Sequence, residues 1–184
     1  MKTFLFNPFR YVAGGKALLL GLAAMLVTTV PAYLGRTHFD GIIDAHCGLV
    51  TPFQFYLADQ ALAWACTVAP FYLAALIFSR SSVRLIDMAG TVALARWPYI
   101  FIALVNLFLP PVLPPDLHRI GPGLVINVLL ELLITVWMVA LLYYAFAVSA
   151  NLKSPRGTLV FIGALLSGEI LAKLAFYWFY RSLI

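Results

Sequence analysis

Apolar residues come in long runs along this chain, and short polar segments separate them. Five runs approach the roughly 20 residues that a helix needs to cross a hydrocarbon core of about 30 Å. They place spans at about 16–34, 53–78, 98–112, 124–148 and 158–180. No segment alternates with period 2 as a membrane strand would, and a spanning backbone must bond within itself, so helices are predicted. Between the second and third runs, Leu85, Ile86, Met88, Ala89, Val92 and Ala93 recur at helical spacing, with Arg84, Asp87 and Thr91 opposite. That spacing predicts an amphipathic helix over 83–95, lying on the cytoplasmic side of the membrane. Arg96-Trp97-Pro98 reads as its boundary: a cation, a belt aromatic and a helix-starting proline. The fold class is therefore all-α. The chain reads as one polytopic integral membrane helix bundle, with about five transmembrane helices and one interfacial helix.

Composition supports the pattern. Of 184 residues, 64% are hydrophobic and 10% charged, and the mean hydropathy is +0.98. No soluble domain of this size covers so much apolar surface. The net charge of +5 does not point to nucleic acid, because Lys and Arg gather at span ends, where they set orientation. Lys2, Arg10, Lys16, Arg80, Arg84, Arg96, Lys153 and Arg156 fall on one face, and Arg36, Arg119 and Arg181 on the other. Eight against three puts the N-terminus in the cytoplasm and the C-terminus outside, as in a bacterial inner membrane protein. Cys47 and Cys66 form neither a Cys-x-x-Cys motif nor a plausible disulfide.

The most polar stretch is Thr37-His38-Phe39-Asp40-Gly41-Ile42-Ile43-Asp44-Ala45-His46, a near mirror of His-x-Asp and Asp-x-His on the outer side. Histidine and carboxylate together suit a divalent transition metal such as zinc. The candidate ligands are His38, Asp40, Asp44 and His46, joined from the next outer loop by His118. On a continued helix the two histidines would share one face and the two aspartates another, so convergence requires the loop to fold back. The same residues also read as a polar loop with aspartate caps and a turn at Gly41.

Charges inside the spans carry a second signal. Asn127, Glu131 and Thr135 form a stripe at i, i+4, i+8, and Glu169 and Lys173 are i, i+4 on the last span. At about 1.5 Å per residue, Glu131 lies about 12 Å from the outer end of its span and Glu169 about 18 Å from the cytoplasmic end of its own. The two acids thus share a depth, with Asp59 and Lys173 in the same outer half. Such groups are costly in lipid and face the bundle interior or a wet cavity. One reading has Glu169 and Lys173 neutralising each other. The other has Asp59, Asn127, Glu131, Glu169 and Lys173 lining a cavity open to the outside. Ala13, Ala17 and Gly21, and likewise Ala164, Gly168 and Ala172, form small-residue rows. The second row suits close packing of the fifth span on the fourth, and either row suits a dimer face.

The layout resembles the Yip1-domain family, in its short prokaryote-like form. The resemblance spans roughly the whole chain. It rests on Asn7-Pro8-Phe9-Arg10 before the first span, Arg96-Trp97-Pro98 before the third, Trp137 in the fourth, and the basic turn with Ser154 and Pro155. The long N-terminal region and the Asp-Leu-Tyr-Gly-Pro motif of eukaryotic members are absent. The resemblance implies membrane organisation or transport. Expected partners are the lipid bilayer and a second copy or another membrane protein, without nucleic acid. No nucleophile elbow, phosphate loop or HExxH motif supports an enzyme. The three readings are a non-enzymatic organiser, an ion-coupled transport component, and a metal-dependent enzyme built on the outer loop.

Overall fold

The computed structural model describes residues 6–109 and 121–181. The helices are α1 (Gly14–Leu34), α2 (Phe53–Phe78), α3 (Leu85–Ala95), α4 (Tyr99–Phe108), α5 (Pro122–Ser149) and α6 (Pro155–Arg181). A hairpin of β1 (Thr37–His38) and β2 (His46–Cys47) joins α1 to α2. Five stretches are long and apolar enough to cross a membrane: α1, α2, the run Leu85–Phe108, α5 and α6. The chain is an all-α membrane protein.

The expected interfacial helix over 83–95 is instead the first half of the third span. Met88, Val92, Ala93 and Ala95 are fully buried, and α3 lies along α1 inside the bundle. Small residues make this contact possible. A Cβ on Gly21 would collide with Ala93 and Leu94, and one on Gly90 would meet the backbone of Gly14 and Leu18. The polar positions are satisfied locally. Thr91 donates to the Asp87 carbonyl at 2.8 Å and shares a hydrogen bond with Ser149 of α5. Arg84 and Asp87 pair at the exposed end. Arg96-Trp97-Pro98 is therefore not an interface boundary. It lies within the span, where the chain tightens into i→i+3 bonds, with the Tyr99 amide on the Arg96 carbonyl at 3.0 Å.

The second small-residue row sets α6 on α2, the second span, rather than on the fourth. Ala164, Gly168 and Ala172 are all buried. Pro70 has no amide to return to the Cys66 carbonyl, and α6 approaches that gap at Gly168. A Cβ there would stand 3.0 Å from the Cys66 carbonyl oxygen and 3.1 Å from the Pro70 ring. Ala17 and Gly21 of the first row pack on α3, so both rows are used within the chain. Phe71 meets Phe146 and Phe161 edge to face in the core, at 5.3 and 5.5 Å. Leu19, Leu26 and Val30 of α1 and Ile126, Leu129 and Leu133 of α5 point away from it. Lipid is as apolar as the core, so close packing, not hydrophobicity, decides which face turns inward.

Candidate functional site

The near mirror of the polar stretch is a hairpin register. Thr37 pairs with Cys47 and His38 with His46 in an antiparallel ladder. Arg36, at a left-handed φ of 54°, turns the chain out of α1 and into β1. The tip does not project from the bundle but enters it. Phe39 and Ile42 are 1% and 0% exposed. Ile42 reaches Gly168, which lies thirteen residues from each end of α6 (168 − 155 and 181 − 168). Irregular backbone therefore sits midway along the spans. At that depth its polar groups need protein partners.

Those partners come from α4 and α6. Glu169 Oε2 accepts from the Ile42 amide at 2.7 Å and the Ile43 amide at 3.2 Å. Tyr99 donates its hydroxyl to the Ile42 carbonyl at 2.6 Å, and its ring stacks on Phe39 at 4.6 Å. Gly41 admits the approach, since a Cβ would strike the Glu169 carboxylate. One turn along α6, Lys173 donates to Asp40 at 3.2 Å and also to Asp44. Glu169 and Lys173 thus do not neutralise each other as their spacing suggested, because both reach across to the hairpin.

The two histidines part in role. His38 is 5% exposed. Its Nδ1 lies 2.8 Å from Asp59 Oδ2, and its Nε2 lies 3.3 Å from the Leu49 carbonyl. Both nitrogens face oxygen atoms that can accept a hydrogen bond. Tyr180 donates to the other Asp59 oxygen at 2.7 Å, and the Tyr56 ring stacks on His38 at 4.4 Å. His46 is half exposed and pairs through Nδ1 with Asp40 Oδ1 at 3.2 Å. Its hydrogen bond to Asp40 raises its pKa above the ordinary value, against the pull of burial. Burial alone would push the Asp40 carboxyl up, but the bond and charge of His46, with Lys173, hold it below the usual carboxylate range. Beside these groups opens a cavity of about 310 Å³, lined by His38, Asp40, His46, Leu49, Thr51 and Tyr180.

The predicted metal set assembles only in part. One ligand atom each of Asp40, Asp44 and His46 lies within 4.8 Å of the others, a spacing that suits one divalent ion. The Lys173 ammonium already bridges both carboxylates, and Asp40 favours protonated His46, whereas a metal needs the neutral imidazole. His38 turns both nitrogens elsewhere and does not join. His118 lies outside the described residues. The donor set therefore fits a metal only with Lys173 displaced.

The predicted intramembrane cluster divides in two. Asp59, Glu169 and Lys173 hold the hairpin. Asn127 and Glu131 lie apart, where Asn106 of α4 donates to Glu131 at 2.7 Å and Asn127 donates to Asn106 at 3.2 Å. The sequence placed Arg96 at the membrane interface, and the structure buries it. It is 1% exposed with its guanidinium 5.0 Å from the Tyr99 ring, and Nε, Nη1 and Nη2 have no hydrogen-bond partner among the described residues. The signal was present: residues 88–109 are an apolar run interrupted by one charge.

Fold and site together define a polytopic membrane protein with a hairpin locked into one end of its bundle. No family model matches the chain, and neither a curated protein nor a solved structure matches it.

Proposed function

We propose that this is a non-enzymatic protein of the bacterial inner membrane, an ion-coupled transport component whose outer mouth is plugged by the hairpin. One observation carries the reading. Irregular backbone lies midway along the spans, held by Glu169 and next to a fully buried arginine. Such backbone and such charges at membrane depth mark ion and solute pathways. An enzymatic reading is disfavoured, since the acid and base groups are committed to one another and no activated nucleophile stands beside His38 among the described residues. With Arg96 counted inside the third span, the face charges are seven against three (eight less Arg96), which still favours a cytoplasmic N-terminus and an outer hairpin. The test is proton flux into liposomes carrying the purified chain and a trapped pH-sensitive dye. Flux above that of empty liposomes, lowered by Glu169→Gln, is expected. Flux equal to that of empty liposomes would overturn the reading.

A second reading is that of a Yip1-like organiser of membrane lipid or partner proteins. It is favoured by a wholly apolar groove of about 550 Å³ between α4 and α5, lined by Phe101, Leu104, Phe108, Leu130, Ile134 and Trp137. Filling it with Leu130→Trp should reduce the lipid that co-purifies. Unchanged lipid content would count against it. Either reading expects no zinc above background in elemental analysis, and one zinc per chain would restore the metal-enzyme reading.

A further inference from the structure

The hairpin and the buried arginine compete for one acid. Glu169 commits Oε2 to the amides of Ile42 and Ile43. Arg96 lies against the ring of Tyr99, whose hydroxyl bonds the carbonyl of the same Ile42 that Glu169 holds by its amide, yet its three guanidinium nitrogens have no hydrogen-bond partner among the described residues. A desolvated guanidinium left without hydrogen bonds is costly, and a carboxylate is the partner that matches its fork. We propose that Glu169 exchanges between these two sets of donors, and that the exchange moves the hairpin. With the tip inserted, Glu169 holds the amides and Arg96 waits. With the tip withdrawn, Glu169 closes a bidentate pair with Arg96, and the two amides meet water.

The surroundings permit both states. Lys173, Asp40 and Asp44 are 43%, 23% and 42% exposed at their side chains, so water replaces their mutual bonds at small cost. The link from β2 to α2 is irregular, and Leu49 within it is 86% exposed, so the hairpin has slack to move. The third span tightens into i→i+3 bonds at Arg96, a form that often marks a hinge within a helix. The exchange rests on the transport reading only for its use; the movement stands without it.

Thiol accessibility tests the exchange. The full chain carries Cys47→Ala and Cys66→Ala, with Ile42→Cys as reporter, and is treated in liposomes with a membrane-impermeant maleimide. Ile42 is 0% exposed, so the reporter reacts only when the tip leaves. Arg96→Met removes the alternative partner and should slow labelling roughly fivefold or more. Glu169→Ala releases the tip and should speed labelling by a similar factor. Arg96→Met added to Glu169→Ala should change nothing further, because Arg96 acts through Glu169. Arg96→Lys keeps a charge without the fork and should slow labelling less; it carries the test if Arg96→Met does not elute as a folded species. Parental labelling in both Arg96 variants, or no labelling in Glu169→Ala, would overturn the exchange. Labelling that follows the expected order without proton flux would refute the transport reading and leave the exchange standing. Flux lowered by Glu169→Gln, with labelling indifferent to Arg96, would do the reverse.

Discussion

Glu169 and Glu131 look alike in the sequence and do different work in the fold. Each is one acid within an apolar helix, at similar depth, with a polar residue four positions away. Glu169 faces a hairpin tip and holds two backbone amides from a segment that follows the first span. Glu131 faces α4 and accepts from the side chain of Asn106, whose own oxygen takes a bond from Asn127. The first joins irregular backbone to the bundle. The second joins two helices that already pack through Phe101 and Trp137, whose rings stack at 6.0 Å. What an acid in a membrane helix does is set by what packs opposite it, more than by its depth.

Substitutions should separate the two sites. The largest effect is expected for Glu169→Ala, which strips the part-buried Ile42 amide and the more exposed Ile43 amide of their shared acceptor. A loss of about 3–5 kcal/mol is expected in denaturant unfolding from detergent, and a loss no greater than for Glu131→Ala would break the contrast. Glu131→Ala leaves Asn106 one bond short and should cost about 1–2 kcal/mol in the same assay. Lys173→Met removes a half-exposed tie to Asp40 and Asp44 and should cost about 1 kcal/mol or less, while raising accessibility of the tip. Glu131→Gln keeps an acceptor for Asn106 and should stay within about 0.5 kcal/mol of the parent.

The hairpin should also respond to pH, through His46 and Asp40. The raised pKa of His46 means that its contribution is complete below the ordinary value of 6.5 and fades as pH rises through the raised value. The lowered pKa of Asp40 means that its contribution is complete above the ordinary value of 3.8 and fades as pH falls through the lowered value. The tie is therefore whole between those two ordinary values and loosens on either side. Melting temperature followed against pH should show this plateau, and His46→Gln should flatten its alkaline edge. An unchanged alkaline edge would remove His46 from the lock.

The spans were legible because about 20 consecutive apolar residues have few other uses. The interfacial helix was misread for a physical reason. Ala89, Gly90 and Ala93 make a face that suits lipid by hydropathy and a neighbouring helix by size, and only the glycine of α1 opposite it, Gly21, decides between them. The pairing of His38 with His46 was visible as a mirror in the letters, but its helical reading hid the strand register. The partners of the hairpin were not legible at all. Nothing local in Glu169 and Lys173 tells that they bond residues near the start of the chain rather than each other.

That separation reaches into biogenesis. Ile42 and Glu169 are 127 residues apart, with Glu169 on the last span. At 5–20 residues per second, a ribosome needs roughly 6–25 s to deliver the acid after the amide. During that interval the hairpin waits without its anchor, and Asp40 and Asp44 wait without Lys173. The final helix then acts as the clasp of the assembly. A nascent chain stalled before it would leave Asp40 and Asp44 without their cation and the tip amides without their acceptor.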